Sequence, residues 1–362
     1  MDSNEPALVG AAVLESFVRD IFVAVGCEGA EAGRIATHLV SANLAGHDSH
    51  GIVRVPRYID WLEAGYVLKG QRAEIVTDGG SFAVLDGNFG FGQTVAPQAV
   101  AYGIERALAT GLCVTALRNA GHIGRVGDYA EQAIAAGLIS IHFVNVAGSV
   151  LVAPFGGVER RFSTAPFSVG VPLPGRPLVL DFATSLVAEG KVLVASSGGK
   201  PLPPDALVEP DGRFSGDPHT LYGPYEPDGL RDLNNGTGAL RAFGEHKGSG
   251  LALMCEMLGG VLTGGGTSGP TEQRARIANG MLSIFLSPRH FGSRADFERT
   301  GLAYAEWIAG CRPADPKTPV LLPGEPEAAR RAARMKDGIP IPLDVWASLG
   351  SMARRLGVEP PH

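Results

Sequence analysis

The chain has 362 residues, 45% hydrophobic and 19% charged, enough apolar mass to bury a large core in two or three lobes around a shared cleft. A net charge of −6 with no long run of lysine or arginine argues against a surface that tracks a phosphate backbone, so nucleic acid is not an expected partner. The opening Met1-Asp2-Ser3-Asn4-Glu5 lacks the layout of a secretory signal, no apolar run reaches membrane-spanning length, and Cys27, Cys113, Cys255 and Cys311 form no Cys-x-x-Cys pair, so a reduced, cytoplasmic protein with no membrane partner is expected.

Residues 15–44 read as helix, because Ile35, Leu39, Val40 and Leu44 recur at the spacing that paints one face. Just past it comes Gly46-His47-Asp48-Ser49-His50-Gly51-Ile52-Val53-Arg54. Histidine exchanges protons near neutral pH, a neighbouring hydroxyl or carboxylate can fix its tautomer, and arginine can hold a carboxylate with two parallel bonds. The set suits chemistry on a small anionic carbonyl compound. His47 and Asp48 are equally at home at a helix end with no ligand. A direct contact between the adjacent Ser49 and His50 requires an irregular backbone, since neighbours in a regular helix or strand do not face each other.

From residue 82 short β-rich runs alternate with alanine-rich helices: strand 82–85, helix 95–108, strand 112–117, helix 128–136 and strand 138–145. Gly87-Asn88-Phe89-Gly90-Phe91-Gly92 follows the first strand without the Gly-x-Gly-x-x-Gly spacing, and no Gly-x-x-x-x-Gly-Lys-Ser/Thr loop occurs. Asn119-Ala120-Gly121-His122-Ile123-Gly124-Arg125-Val126-Gly127 is a glycine-rich turn between strand and helix, a place where ligands sit. His122 can donate to a ligand carbonyl there or be satisfied by a turn carbonyl. Leu180-Asp181-Phe182-Ala183-Thr184-Ser185 ends an apolar strand in a carboxylate that can orient a distant histidine or serine, or cap the next helix.

Residues 196–238, rich in glycine and proline, read as a long surface excursion. Helix 247–262 follows, with Leu251, Met254, Leu258 and Leu262 as its apolar stripe. It opens at His246-Lys247-Gly248-Ser249-Gly250, where a lysine works against the macrodipole unless something anionic is near; a cofactor phosphate would fit, and so would an ordinary surface lysine. Strand 281–286, helix 295–308, a connector stiffened by Pro313, Pro316, Pro319 and Pro323, and a final helix through Val345 and Leu356 complete the chain.

Taken together, these segments make the chain resemble the type-2 malate/L-lactate dehydrogenase family, a group that also holds sulfolactate and ureidoglycolate dehydrogenases and cyclic-imine carboxylate reductases. The resemblance spans nearly the whole chain. It rests on Gly46-His47-Asp48-Ser49-His50-Gly51 with Arg54, Pro56 and Tyr58, on Gly121-His122-Ile123-Gly124 and on Ala153-Pro154-Phe155-Gly156-Gly157. Leu180-Asp181-Phe182-Ala183-Thr184-Ser185, Lys247-Gly248-Ser249-Gly250-Leu251 and Leu322-Pro323-Gly324-Glu325 complete it. It implies an α/β fold: a non-Rossmann dinucleotide-binding α/β domain over residues 78–308, beside a mainly helical part made from residues 1–77 and 309–362. It also implies a homodimer and NAD or NADP as cofactor.

By the same resemblance, Ser49, His50 and Asp181 form a proton relay, Arg54 grips the substrate carboxylate, and His122 faces the reacting oxygen or imine nitrogen. His122, Gly124, Asp181, Phe182, Ala183, Lys247, Gly324 and Glu325 line the cofactor region, and no metal is expected. This chain departs from the family in Thr164-Ala165-Pro166, where relatives commonly read Thr-Asn-Pro, and in His246 and Ser249, which stand where tyrosines are usual. The expected activity is reversible hydride transfer between nicotinamide and C2 of a small 2-hydroxy or 2-oxo acid. A reductase of cyclic imines such as piperideine- or pyrroline-2-carboxylate would use nearly the same residues. From other classes come a non-catalytic carboxylate-binding protein and a serine hydrolase on Ser49, His50 and Asp181, the latter without the Gly-x-Ser-x-Gly elbow. His47 and His50 have no identifiable third partner for a metal.

Overall fold

The computed structural model describes residues 6–196, 198, 200–226, 231–269 and 276–361; the opening Met1 to Glu5 and part of the 196–238 stretch lie outside them. Strand β1 (Ala7–Val9) is followed by helices α1 (Ala11–Ala24) and α2 (Gly29–Leu44). Helix α1 buries Leu14, Phe17, Val18, Ile21 and Phe22, the spacing of a single face, and α2 buries Ile35, Leu39 and Val40 against it. The single helix expected over 15–44 is therefore two. Gly26, at φ +86°, takes the left-handed conformation that ends α1, and its amide bonds to Val23 O while Cys27 N reaches Phe22 O.

Two tight 3₁₀ turns, Asp48–His50 and Ile52–Arg54, lead from α2 into α3 (Val55–Glu63). The sheet region then runs β2 (Glu74–Asp78), β3 (Phe82–Asp86), α4 (Gly92–Thr110), β4 (Leu112–Ala120), α5 (Gly127–Ala135), β5 (Ile139–Ala147), β6 (Pro166–Val171), β7 (Leu178–Ala183) and α6 (Glu189–Ser196). A small sheet follows, from β8 (Leu207–Val208), β9 (Phe214–Ser215) and β10 (Ala239–Leu240), with α7 (His219–Tyr222) inside it in sequence. The chain continues through α8 (His246–Cys255), a π turn over Glu256–Val261, β11 (Ala278–Leu286), α9 (Pro288–Phe291) and α10 (Arg294–Ala309). It ends with α11 (Glu325–Asp337), β12 (Ile339–Ile341) and α12 (Leu343–Arg355).

Seven strands form one sheet in the order β2-β3-β4-β11-β5-β6-β7. Among the described residues its only parallel neighbours are β3 and β4, joined through α4; the other pairs are antiparallel, unlike the mostly parallel doubly wound dinucleotide sheet. Side chains alternate across β5: Val144 joins the core built with α4 and α5, while Phe143 packs with Ala252 and Cys255 of α8. The sheet is thus covered on both faces. The chain ends close on each other, since β1 pairs antiparallel with β12 and Ile339, Ile341, Leu349 and Met352 share a core with α1 and α2.

Two expectations need correction. The 196–238 stretch is not a bare excursion, because its sparse apolar residues Leu207, Leu221, Tyr222 and nearby Leu240 close a core with Val152 and Val192. Arg160 ties it down by donating to the carbonyls of Gly238, Leu233, Leu221 and Gly236. The helix expected over 247–262 changes to a π turn at Glu256, and it is the small residues Gly248, Ala252, Cys255 and Gly259 that are buried. Met254, Met257, Val261 and Leu262 face outward, 44–62% exposed, so much of the expected stripe is not core.

Candidate functional site

The segment between α2 and α3 is shaped by side-chain to backbone bonds rather than by a regular ladder. Asn43, 4% exposed at the end of α2, accepts from Ile52 N at 2.9 Å and donates to Asp48 Oδ1 at 2.6 Å. Arg334, from α11, donates to both Asp48 oxygens at 2.7 and 3.0 Å and to the Asn43 carbonyl. Gly51 leaves room for this clasp, since a Cβ there would lie 2.1 Å from Asn43 Oδ1. In the resulting 3₁₀ turn the adjacent Ser49 Oγ and His50 Nδ1 do meet, at 3.0 Å. Asp48 is therefore a structural anchor. His47 sits 3.5 Å from Glu327 of α11, and among the described residues no three His, Cys, Asp or Glu side chains are placed to hold a metal.

One turn further, Arg54 Nε donates to Ser49 O at 2.6 Å. Among the described residues its Nη groups have no hydrogen-bond partner, which leaves the outer edge of the guanidinium for an anion. His122, from the turn after β4, lies against His50 with ring centroids 5.5 Å apart and planes 19° from parallel. Burial and the charge of Arg54 hold both imidazoles well below the usual histidine range, so both are neutral at physiological pH. Both residues are half-buried. Tyr58 Oη meets His122 Nδ1 at 2.6 Å, and burial pushes the tyrosine hydroxyl up, keeping it protonated.

Ser49, His50, Arg54 and His122 come together, but Asp181 is engaged differently. Its Oδ2 accepts from Gly127 N at 2.9 Å and lies 3.6 Å from Arg125 Nε, and among the described residues no hydrogen bond joins it to Ser49 or His50. Burial pushes its carboxyl up while Arg125 pulls it down, and burial is the larger effect. Arg125, 3% exposed, also binds Asp128 at 2.8 Å and Glu131 at 2.6 Å.

Gly124, at φ +75°, turns the chain beside Gln93. Phe182 packs edge-on to Phe243 and tilted against Phe167, and Ala183 pairs with Pro166. Lys247 is exposed in the first turn of α8, whose start has no side-chain cap. Ser249 Oγ accepts from Phe155 N at 3.0 Å and His246 packs edge-on to the Phe155 ring. Gly324, at φ +94°, lets the turn approach Val179, whose amide bonds to Pro323 O. The Glu325 carboxylate is taken up by Arg176 and by Leu322 N. Ala165 is buried at φ +29°. An open cavity of about 430 Å³ lies elsewhere, at the far end of α5, where Arg294 and Glu298 are already paired.

Sequence reading missed three of the organising residues, Asn43, Gln93 and Arg334. Asn43 stood at a helix end, where asparagine is an ordinary terminator; Gln93 and Arg334 belong to no pattern.

Comparison with known proteins shows which family the chain belongs to. The family model described as malate/L-lactate dehydrogenase matches residues 9–350. Hydroxycarboxylate dehydrogenase B of Escherichia coli is 41% identical over 352 residues, covering 96% of this chain and 94% of that protein. The structure of malate dehydrogenase from Pyrococcus horikoshii superposes with a TM-score of 0.86 at 29% identity, covering 98% of this chain and 97% of that one. That of delta1-piperideine-2-carboxylate reductase from Pseudomonas syringae gives 0.82 at 29% identity, covering 96% and 100%. With its motifs in order and the match running almost end to end, this chain belongs to the malate/L-lactate dehydrogenase family and is an oxidoreductase.

Proposed function

We propose that the protein is an NAD- or NADP-dependent dehydrogenase that moves hydride reversibly between the nicotinamide and C2 of a small 2-hydroxy or 2-oxo acid. The observation that carries this reading is the stacked, neutral pair His50 and His122 beside a guanidinium with a free edge. The donor set fits a dinucleotide: the uncapped start of α8 with exposed Lys247 suits a pyrophosphate, and the Gly124 turn permits close backbone approach. Phe182, Ala183, Gly324 and Glu325 complete the proposed cofactor region. When bound, the nicotinamide supplies or takes the hydride.

The chain's own residues then divide the remaining work. Arg54 holds the substrate carboxylate and fixes its orientation. His50, held at Nδ1 by Ser49, takes the hydroxyl proton in oxidation and returns it in reduction, while His122 donates to the oxygen as negative charge develops there. Asp181 serves by holding Gly127, and so the turn that bears His122 and Gly124. We assign the cofactor to the sheet region, residues 78–308, and the substrate-gripping Arg54 to the helical part made by both chain ends. The exposed Met254, Met257, Val261 and Leu262 face is proposed as the contact of a homodimer, and the four free cysteines suit a reducing cytoplasm.

A second reading, reduction of a cyclic imine carboxylate, is favoured by the match to the piperideine-2-carboxylate reductase structure. NADH and NADPH absorbance followed with pyruvate, oxaloacetate, other 2-oxo acids and a cyclic imine carboxylate separates the two. Turnover with oxo acids supports the first reading, turnover with the imine alone supports the second, and failure of both nucleotides to bind ends both. His50→Ala should lower kcat by about 10²- to 10⁴-fold with dinucleotide affinity kept; unchanged turnover would remove His50 from proton transfer.

A further inference from the structure

We infer that Gln93, acting through Tyr58, fixes the proton of His122 on Nε2 and makes this histidine a hydrogen-bond donor rather than a base. Gln93 stands in the first turn of α4 and is completely buried. Its Nε2 lies 3.1 Å from the His122 carbonyl and 2.9 Å from Tyr58 Oη, while its Oε1 has no partner among the described residues. A carbonyl only accepts, so the amide must present its NH2 group to it, and this settles which way the side chain is turned.

The tyrosine oxygen therefore accepts from Gln93. Its single proton has one useful destination, His122 Nδ1, 2.6 Å away. If His122 donated instead, Tyr58 Oη would accept twice and its own buried proton would go unpaired. Nδ1 is thus the acceptor, and the neutral ring carries its proton on Nε2. Burial, Arg54 and His50 all disfavour a second proton on this ring. Trp61 stacks on Tyr58 at 5.7 Å and helps hold the hydroxyl in place. The two imidazoles are consequently unlike: His122 is a fixed donor, and His50 is left as the proton acceptor. Gln93 and Tyr58 are positioning residues, and the catalytic consequence rests on the dehydrogenase reading, whereas the tautomer does not.

The test is ¹⁵N NMR of histidine-labelled protein without substrate or nucleotide, with His122 assigned by its loss in His122→Gln. The wild type should show protonated Nε2 and bare Nδ1, and Gln93→Met and Tyr58→Phe should each give a mixture of tautomers. Gln93→Met should also lower kcat about tenfold with KM little changed, the pattern of a lost transition-state interaction. A wild-type spectrum with the proton on Nδ1, or an unchanged tautomer in both variants, would overturn the inference. If Gln93→Met does not fold, the wild-type spectrum and Tyr58→Phe still decide it. The Nε2–H pattern in a protein that turns over no dinucleotide would sustain the tautomer assignment and remove only the dehydrogenase reading.

Discussion

Two polar clusters lie on either side of the turn between β4 and α5, and they are built on opposite plans. Around His50 and His122, burial first and then the charge of Arg54 keep both imidazoles neutral, and among the described residues the Arg54 Nη groups have no hydrogen-bond partner. Around Arg125 the groups are engaged with one another: one guanidinium faces three carboxylates, Asp128, Glu131 and Asp181, and His38 adds a bond to Asp128 at 3.1 Å. The second cluster has more ionisable groups and less to offer a substrate. A carboxylate at a strand end is therefore a weaker pointer to proton transfer than a half-buried histidine that its surroundings leave uncharged.

The largest effect is expected at Arg125. Arg125→Met would leave three carboxylates facing one another, two of them with side chains only 9% exposed, and should cost about 3–5 kcal/mol of stability. Urea unfolding at neutral pH measures it; a loss under 1 kcal/mol would mean that the cluster is not held by its guanidinium. On the imidazole side, Gly51→Ala presses a methyl group into Asn43 without straining the backbone, whose φ is −88°. Overpacking of that kind costs about 1–3 kcal/mol. It should also displace the His50 turn, so kcat should fall by more than the unfolded fraction explains. Full activity per folded molecule would show that the turn tolerates movement.

Much of the site was legible in sequence because its residues come in short runs: Ser49, His50 and Arg54 share one turn, and His122 sits in a glycine-rich loop after a strand. What joins those runs was not legible. Gln93 reaches Tyr58 across 35 positions, and Arg334 reaches Asp48 across 286, with neither contact leaving a periodic trace. The relay expected through Asp181 failed as geometry for a related reason: a backbone amide, Gly127 N, claims the carboxylate, and main-chain donors are invisible to motif reading. In the fold, the 3.6-residue period located α1 and α2 but could not show the break at Gly26, and the apolar stripe it drew through Met254 and Leu262 faces outward. Periodicity reports that a face is apolar, not what covers it.

A third imidazole separates the two causes that act on His50 and His122. His142, in the middle of β5 with no exposure, is bonded through Nδ1 to Ser283 at 2.8 Å and through Nε2 to Ser140 at 3.0 Å. Burial alone lowers it, to about 3, with no guanidinium involved. Its contribution is fully present above the unfolded value near 6.5 and is lost as pH falls toward 3, because the unfolded chain binds a proton that the folded state refuses. Each such histidine should make stability fall by about 1.4 kcal/mol per pH unit below the unfolded value. His50 and His122 act in the same direction; the raised carboxyl of Asp181 opposes them at the acid end. Unfolding free energies measured between pH 7 and pH 5 should therefore decline, and His142→Gln should remove one proton's worth of that slope whatever it does to stability at pH 7. If the slope is unchanged, His142 is not held neutral, and burial alone is too weak a cause to account for the neutrality of the pair beside Arg54.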